Sequence, residues 1–111
     1  MPFTGTAVFE EVADDLVRVT GLSLAAAGAN GNFGLAGDAG AEIELPARFQ
    51  PRDYGDVTLS ESVQVDIQRT SNEANALVLQ VVKTEGPFRI TITNNDAANA
   101  SGDLEFYIRF H

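Results

Sequence analysis

The sequence predicts an all-β protein, a single-domain β-sandwich or jelly roll of about seven or eight antiparallel strands. Three observations carry this. Apolar and polar residues alternate over successive windows of the C-terminal half, the period of a strand with one buried face. No window of about eleven or more residues combines a 3.6-residue period with proper helix caps. Clusters of Gly, Pro, Asn, Asp and Ser separate the alternating windows, as turns between strands require. A chain of 111 residues fits one domain, spanning 1–111, with one core.

Along the N-terminal third, Thr6 to Phe9, Leu16 to Leu24 and Ala41 to Leu45 each suit a short strand rich in Val, Leu, Ile and Thr. Glu10 to Asp15 suits a helical turn, and Leu22 to Ala27 carries a weak helical pattern that the following glycines cut short. From Gly28 to Gly40 a glycine stands at every third position, Gly28, Gly31, Gly34, Gly37 and Gly40, half of the chain's 10 glycines. A collagen-like helix would need many prolines and far more triplets. The expectation is a Gly-rich loop over 25–41, either idle or a contact arm, with Phe33 and Leu35 tacking its middle to the surface. Pro46 to Gly55 forms a second, Pro-bounded loop (46–55) holding Arg48, Phe49, Arg52 and Tyr54. Its aromatics either cap the core or, with the arginines, anchor a partner.

The C-terminal half is more regular. Val57, Leu59, Val63, Val65 and Ile67 share one parity across Asp56 to Arg69, predicting one long strand or two joined by a bulge. Ser71 to Asn75 is a turn, and Leu77 to Lys83 is a more continuous apolar run, typical of a central strand buried on both faces. Glu85, Gly86 and Pro87 break the chain before Pro87 to Thr93, where Phe88, Ile90 and Ile92 alternate with Arg89, Thr91 and Thr93. In Asp103 to Phe110, Leu104, Phe106, Ile108 and Phe110 take one face. Asn94 to Gly102 joins these last two strands as a hairpin or a Greek-key pair.

Sixteen acidic residues against seven basic ones leave a formal charge of -9. Nucleic acid and anionic lipid both demand clustered Lys and Arg, so neither is an expected partner. Cys is absent, which excludes disulfides and thiolate metal sites. No apolar run approaches the ~20 residues of a membrane helix, and no charged and apolar leader opens the chain, so a soluble protein without a signal peptide is expected.

Catalytic constellations are missing. The one His is His111, which removes Ser-His-Asp and Cys-His arrangements, and Ser23, Ser60, Ser62, Ser71 and Ser101 have no base partner. The one Lys, Lys83, reads as a solvated charge at a strand end. Glu10 and Glu11, Asp14 and Asp15, Glu42 and Glu44, and Asp53 and Asp56 supply carboxylate pairs, but a glycosidase needs two across a saccharide cleft, for which the domain has little room. Asn94, Asn95, Asp96, Asn99 and Asp103 crowd oxygen ligands into one loop without the spacing of a helix-loop-helix calcium site; Asx turns are the favoured account. No enzyme activity, cofactor or metal is therefore expected.

From Thr91 to Phe110 the run Thr-Ile-Thr-Asn-Asn-Asp-Ala-Ala-Asn-Ala-Ser-Gly-Asp-Leu-Glu-Phe-Tyr-Ile-Arg-Phe resembles the closing strands of small virion proteins of tailed phages, in particular head decoration or cement proteins. The resemblance covers about a fifth of the chain and carries no diagnostic motif. It implies a capsid-bound sandwich or jelly roll, made in the host cytoplasm and found in the virion. As a dimer or trimer it would clamp the major capsid protein. The expected contacts are Phe33, Arg48, Phe49, Arg52 and Tyr54. The alternative expectation is a carbohydrate- or ligand-binding β-sandwich, possible with calcium, for which Tyr107 is the outward aromatic.

Overall fold

The computed structural model describes residues 3–50, 59–70 and 79–110. Among them are eight strands: β1 (Thr4–Ala13), β2 (Leu16–Ser23), β3 (Asn30–Gly34), β4 (Ile43–Glu44), β5 (Val63–Thr70), β6 (Leu79–Thr84), β7 (Arg89–Asn94) and β8 (Leu104–Phe110). Among the described residues a 3-10 turn, Leu59–Ser62, precedes β5, so this part of the expected long strand is not extended, while Asp56 to Thr58 lie outside the described residues. The strands form two four-stranded sheets, ordered β1-β2-β8-β5 and β4-β3-β7-β6. Every pairing is antiparallel except β3 with β4, which is parallel and corrects the expectation of antiparallel strands throughout. The short return is possible because β4 pairs only with the end of β3, Phe33 with Ile43 and Gly34 with Glu44, so the chain climbs back just two residues.

The alternation of β8 and β7 is realised in full. Leu104, Phe106, Ile108 and Phe110 are buried on β8 and Ile90 and Ile92 on β7, with the intervening side chains on the outer faces. These strands lie in different sheets, so the Asn94 to Gly102 segment is a crossing between sheets rather than a hairpin turn. Val17, Val19 and Leu22 of β2 join the same core, and the Phe33 and Phe106 rings meet edge to face at 5.6 Å, bringing the two sheets together.

Four local expectations are corrected. Glu10 to Ala13 continues β1, and the chain reverses at Asp14 and Asp15; the exposed pair β1-β2 gains ladder bonds that a helical turn would forfeit. Leu22 to Ala27 forms the end of β2 and a bend, not a helix. The apolar run ending in β6 is at a sheet edge, pairing with β7 alone among the described strands, and Val82 is 40% exposed. Lys83 is not freely solvated: its Nζ donates to the Val63 carbonyl at 2.6 Å, from the edge of one sheet to the edge of the other. The expected Ser71 to Asn75 turn, Leu77 and Val78 lie outside the described residues.

The Gly-rich segment is not a loop throughout, because β3 runs through its middle. Phe33 is fully buried and packs on Phe3, Phe9 and Phe106, so it is a core residue with no accessible surface to offer a partner. The three-residue period has two separate causes. A Cβ at Gly31 would strike the Phe3 ring, at Gly34 the Ala41 and Asp38 side chains, and at Gly40 the Arg89 guanidinium. Gly28 and Gly37 face open space and instead hold φ values of 84° and 88°, which L side chains avoid. Close approach and turn geometry thus interleave, and no threefold helix is involved.

Two outcomes follow for stability. Phe33→Ala lowers the unfolding free energy by about 3–5 kcal/mol in urea titrations. Gly31→Ala costs about 1–3 kcal/mol through overpacking, and the cost shrinks in a Phe3→Ala background, where the ring it strikes is gone.

Candidate functional site

One opening among the described residues lies between β1 of one sheet and β4 of the other. Phe3, Gly5, Thr6, Ala7 and Phe9 line it from β1 and its approach, Glu42 and Ile43 from β4 and its approach, enclosing about 340 Å³. Sequence separation hides this site, since strand order alone sets β1 and β4 at the same side. Its floor is aromatic: Phe3 and Phe9 stand 5.4 and 6.2 Å from the Phe33 ring. Phe3 can sit there because Gly31 beneath it has no side chain. Glu42 ties the two lips together, its Oε2 accepting from the Phe3 N–H at 2.8 Å while its own N–H donates to Asn32 Oδ1 at 2.8 Å.

The loop leading into β4 is held by one ion pair. Arg89 donates from Nε and Nη2 to both carboxylate oxygens of Asp38, each at 3.0 Å, and Asp38 Oδ1 also accepts from the Gly40 N–H at 3.0 Å. The Arg89 hydrogen bonds hold the Asp38 carboxyl below the ordinary aspartate range, against the opposing effect of partial burial. Gly37 N–H donates to Glu44 Oε1 at 3.3 Å, so the same loop is bonded to β4 itself.

Along β1 the charges are arranged by cross-strand register. Arg18, opposite Glu10, binds both Glu10 (2.9 Å) and Glu105 (3.1 Å), and these bonds raise its pKa, the Glu105 bond most. Arg48 reaches Glu11 at 2.7 Å and Asp14 at 3.3 Å, and Arg109 binds Asp15 at 3.1 Å. Arg18 and Arg48 are each shared between two carboxylates.

Of the acidic pairs noted in the sequence, Glu10, Glu11, Asp14 and Asp15 are engaged by arginines, Glu42 and Glu44 accept from the Phe3 and Gly37 N–H groups, and Asp53 and Asp56 lie outside the described residues. Among the described residues no group of three or more His, Cys, Asp or Glu could hold a metal ion. The Asn94 to Asp103 segment instead bonds its own backbone. Asn94, fully buried, donates from Nδ2 to the Ala25 and Asn99 carbonyls at 3.1 and 3.0 Å and accepts from the Asp96 N–H. Asp96 Oδ1 accepts from the Ala98 and Asn99 N–H groups at 2.9 Å, which pushes its carboxyl pKa down.

Comparison with known proteins finds no matching family model, curated protein or solved structure. The groove therefore has to be judged on its own chemistry. Of the five residues expected to contact a partner, Phe33 is buried and Phe49 caps the core, 5% exposed, with its ring 5.9 Å from Phe110. Arg48 is the exposed one, lying 5.8 Å from the Phe49 ring centre and occupied by Glu11 and Asp14. Arg52 and Tyr54 lie outside the described residues, as does His111. The groove residues Phe3, Ala7, Phe9, Glu42 and Ile43 were absent from that set. The alternation of Ala7 and Phe9 against Val8 and Glu10 was their one local signal.

The Asp38 carboxyl fixes a pH dependence. Its depressed pKa contributes stability that is complete above the ordinary aspartate value of 3.8 and is lost as pH falls below it, through the lower folded value. Thermal melts of the wild type and Asp38→Asn should therefore differ at neutral pH and converge in acid below that value.

Proposed function

We propose that this chain is a non-enzymatic structural protein that binds the outer surface of a protein shell, as a decoration or cement protein of a phage head. The observation that carries the proposal is the gathering of both sheets' open edges around one apolar-floored, acid-lipped groove, an arrangement suited to holding another chain. Support also comes from the topology. Consecutive strands β2 and β3 pair with β8 and β7 in different sheets, so the β2-β3 arm runs antiparallel along the β7-β8 arm and the pair is folded over the core. This supports reading the two sheets as a jelly-roll-like sandwich, an architecture common in shells. Repeated docking on a lattice makes a modest groove effective, because copies that also touch one another gain from effective concentration.

A carbohydrate-binding module is the second possibility, favoured by one observation. Tyr107 lies on the outer face of the β1-β2-β8-β5 sheet, in register with Arg18 on one side and Asp66 on the other. An aromatic flanked by a donor and an acceptor is chemistry a sugar ring can use.

The two separate in a sedimentation assay. Phage heads stripped of this protein and mixed with the purified chain should take it up saturably, at a fixed ratio to the shell subunits, with uptake unchanged in Tyr107→Ala. Heads that take up none, together with retention on a polysaccharide column that Tyr107→Ala abolishes, would overturn the shell-binding proposal.

A further inference from the structure

We infer that β1 is a docking edge for an extended, basic segment of a partner protein, which adds a fifth strand to the β1-β2-β8-β5 sheet. It rests on the chain being a protein-binding module but not on which particle supplies the partner.

Three features converge on this edge. β1 is ten residues long and is terminal in its sheet, so one side of its backbone has no strand partner among the described residues. The edge of a sheet is a template for strand addition, and on β1 the stretch Val8 to Glu11 keeps the regular register that such addition needs. Two of the three exposed large aliphatics among the described residues also stand on it, Val8 at 56% and Val12 at 50%. Finally, the groove opens directly behind it, lined by Thr6, Ala7 and Phe9.

Parity then specifies the occupant. Phe9 turns toward the core while Val8 and Glu10 turn outward, as their partners Val19 (buried) and Thr20 and Arg18 (outer face) show; Ala7 packs against the core and Val12 is exposed. On an added strand, one set of alternate side chains enters the groove above Phe3 and Phe9 and must be apolar. The other set lies beside Val8, Glu10 and Val12. Lysine or arginine suits it best, with the aliphatic stem covering the valines and the charge reaching Glu10.

Charge complementarity points the same way. Glu10 is 62% exposed on β1, Glu11 and Asp14 share the guanidinium of Arg48, and Glu42 lines the groove from the approach to β4, with Glu44 on β4 itself. A second copy of the chain brings the same carboxylates and a formal charge of -9 against them. Like charges along facing edges oppose that pairing.

The test uses the isotope-labelled full chain titrated with a synthetic decapeptide of alternating valine and lysine, blocked at both ends, and with its valine-glutamate counterpart. The lysine peptide should shift backbone amides of residues 5–12 and 42–44 and slow hydrogen exchange along β1. Raising salt from 0.05 to 0.3 M should weaken it about tenfold or more, and the glutamate peptide should not bind. Ala7→Trp, which fills the groove, and Glu10→Lys, an exposed change that leaves the core intact, should each weaken binding about tenfold or more. Equal binding of both peptides, shifts centred on β6 or a sheet face, or β1 shifts accompanied by a doubled mass in light scattering with no peptide present would overturn the inference. If β1 ignores the lysine peptide while stripped heads still take up the chain, this inference fails and the shell-binding proposal stands. If the peptide binds at β1 and heads take up nothing, the reverse holds.

Discussion

Phe33 is the side chain on which the rest of the molecule is arranged. It is the large inward residue of a five-residue strand whose other inward position is Gly31, and it meets Phe106 of the opposite sheet and both Phe3 and Phe9 of the β1 segment. Burying one phenylalanine contributes about 1.5–3 kcal/mol by area, and edge-to-face ring contacts add to it. Its position matters as much as its size. With Gly31 beside it, the Phe3 ring can settle against the sheet, and that fixes where β1 begins and how far it stands from β4. The groove is the space left by that placement: the Phe3 and Phe9 rings, backed by Phe33, make its floor, and β1 and the start of β4 make its lips.

Electrostatics then sets the character of the lips rather than their stability. Exposed ion pairs of the kind made by Arg18, Arg48 and Arg109 contribute little to folding. Among the described residues Arg18 and Arg48 each stand between two carboxylates, which holds these side chains in place, and Glu10 stays largely exposed on β1. The Asp38-Arg89 pair is different in kind. It is bidentate, carries a backbone bond from Gly40 and is attached to the loop that delivers β4, so it positions the second lip.

Much of the fold could be read in the sequence wherever one residue parity is buried and the other is not. β8 and β7 are of this type, and their core faces follow from the alternation of Leu104 to Phe110 and of Ile90 with Ile92. β3 was hidden because its inward face consists of one phenylalanine and one glycine, which in a segment with glycine at every third position resembles a loop. β6 was misplaced because a run apolar in both parities suits a buried strand, whereas this one is at an edge with Val82 in solvent. Parity gives faces, not neighbours. For the same reason the groove was illegible: Phe9 and Ile43 are far apart in sequence, and only the sheet order brings their edges to one side. Phe33, Arg48 and Phe49 drew attention as aromatics and arginines in apparent loops, yet two of the three are core.

The topology also determines which strands are left at the open side. The paired ribbons β2-β3 and β8-β7 supply the central strands of both sheets, so β1 and β4 are additions at the outside, each with a single strand neighbour among the described residues. β1 departs from regular pairing twice, between Gly5 and Val8 and between Glu11 and Ala13. Bulges of this kind bend an edge away from indiscriminate pairing. Between them, Val8 to Glu11 keep regular register with Thr20 to Val17. That short straight stretch holds Phe9 over the groove floor and Glu10 beside Arg18. Under the proposed docking, an incoming strand would have to match it residue by residue, in apolar character on the inner side and in charge on the outer. The irregularities on either side limit how far any other pairing can extend, and so an edge that is exposed and partly apolar can still be selective.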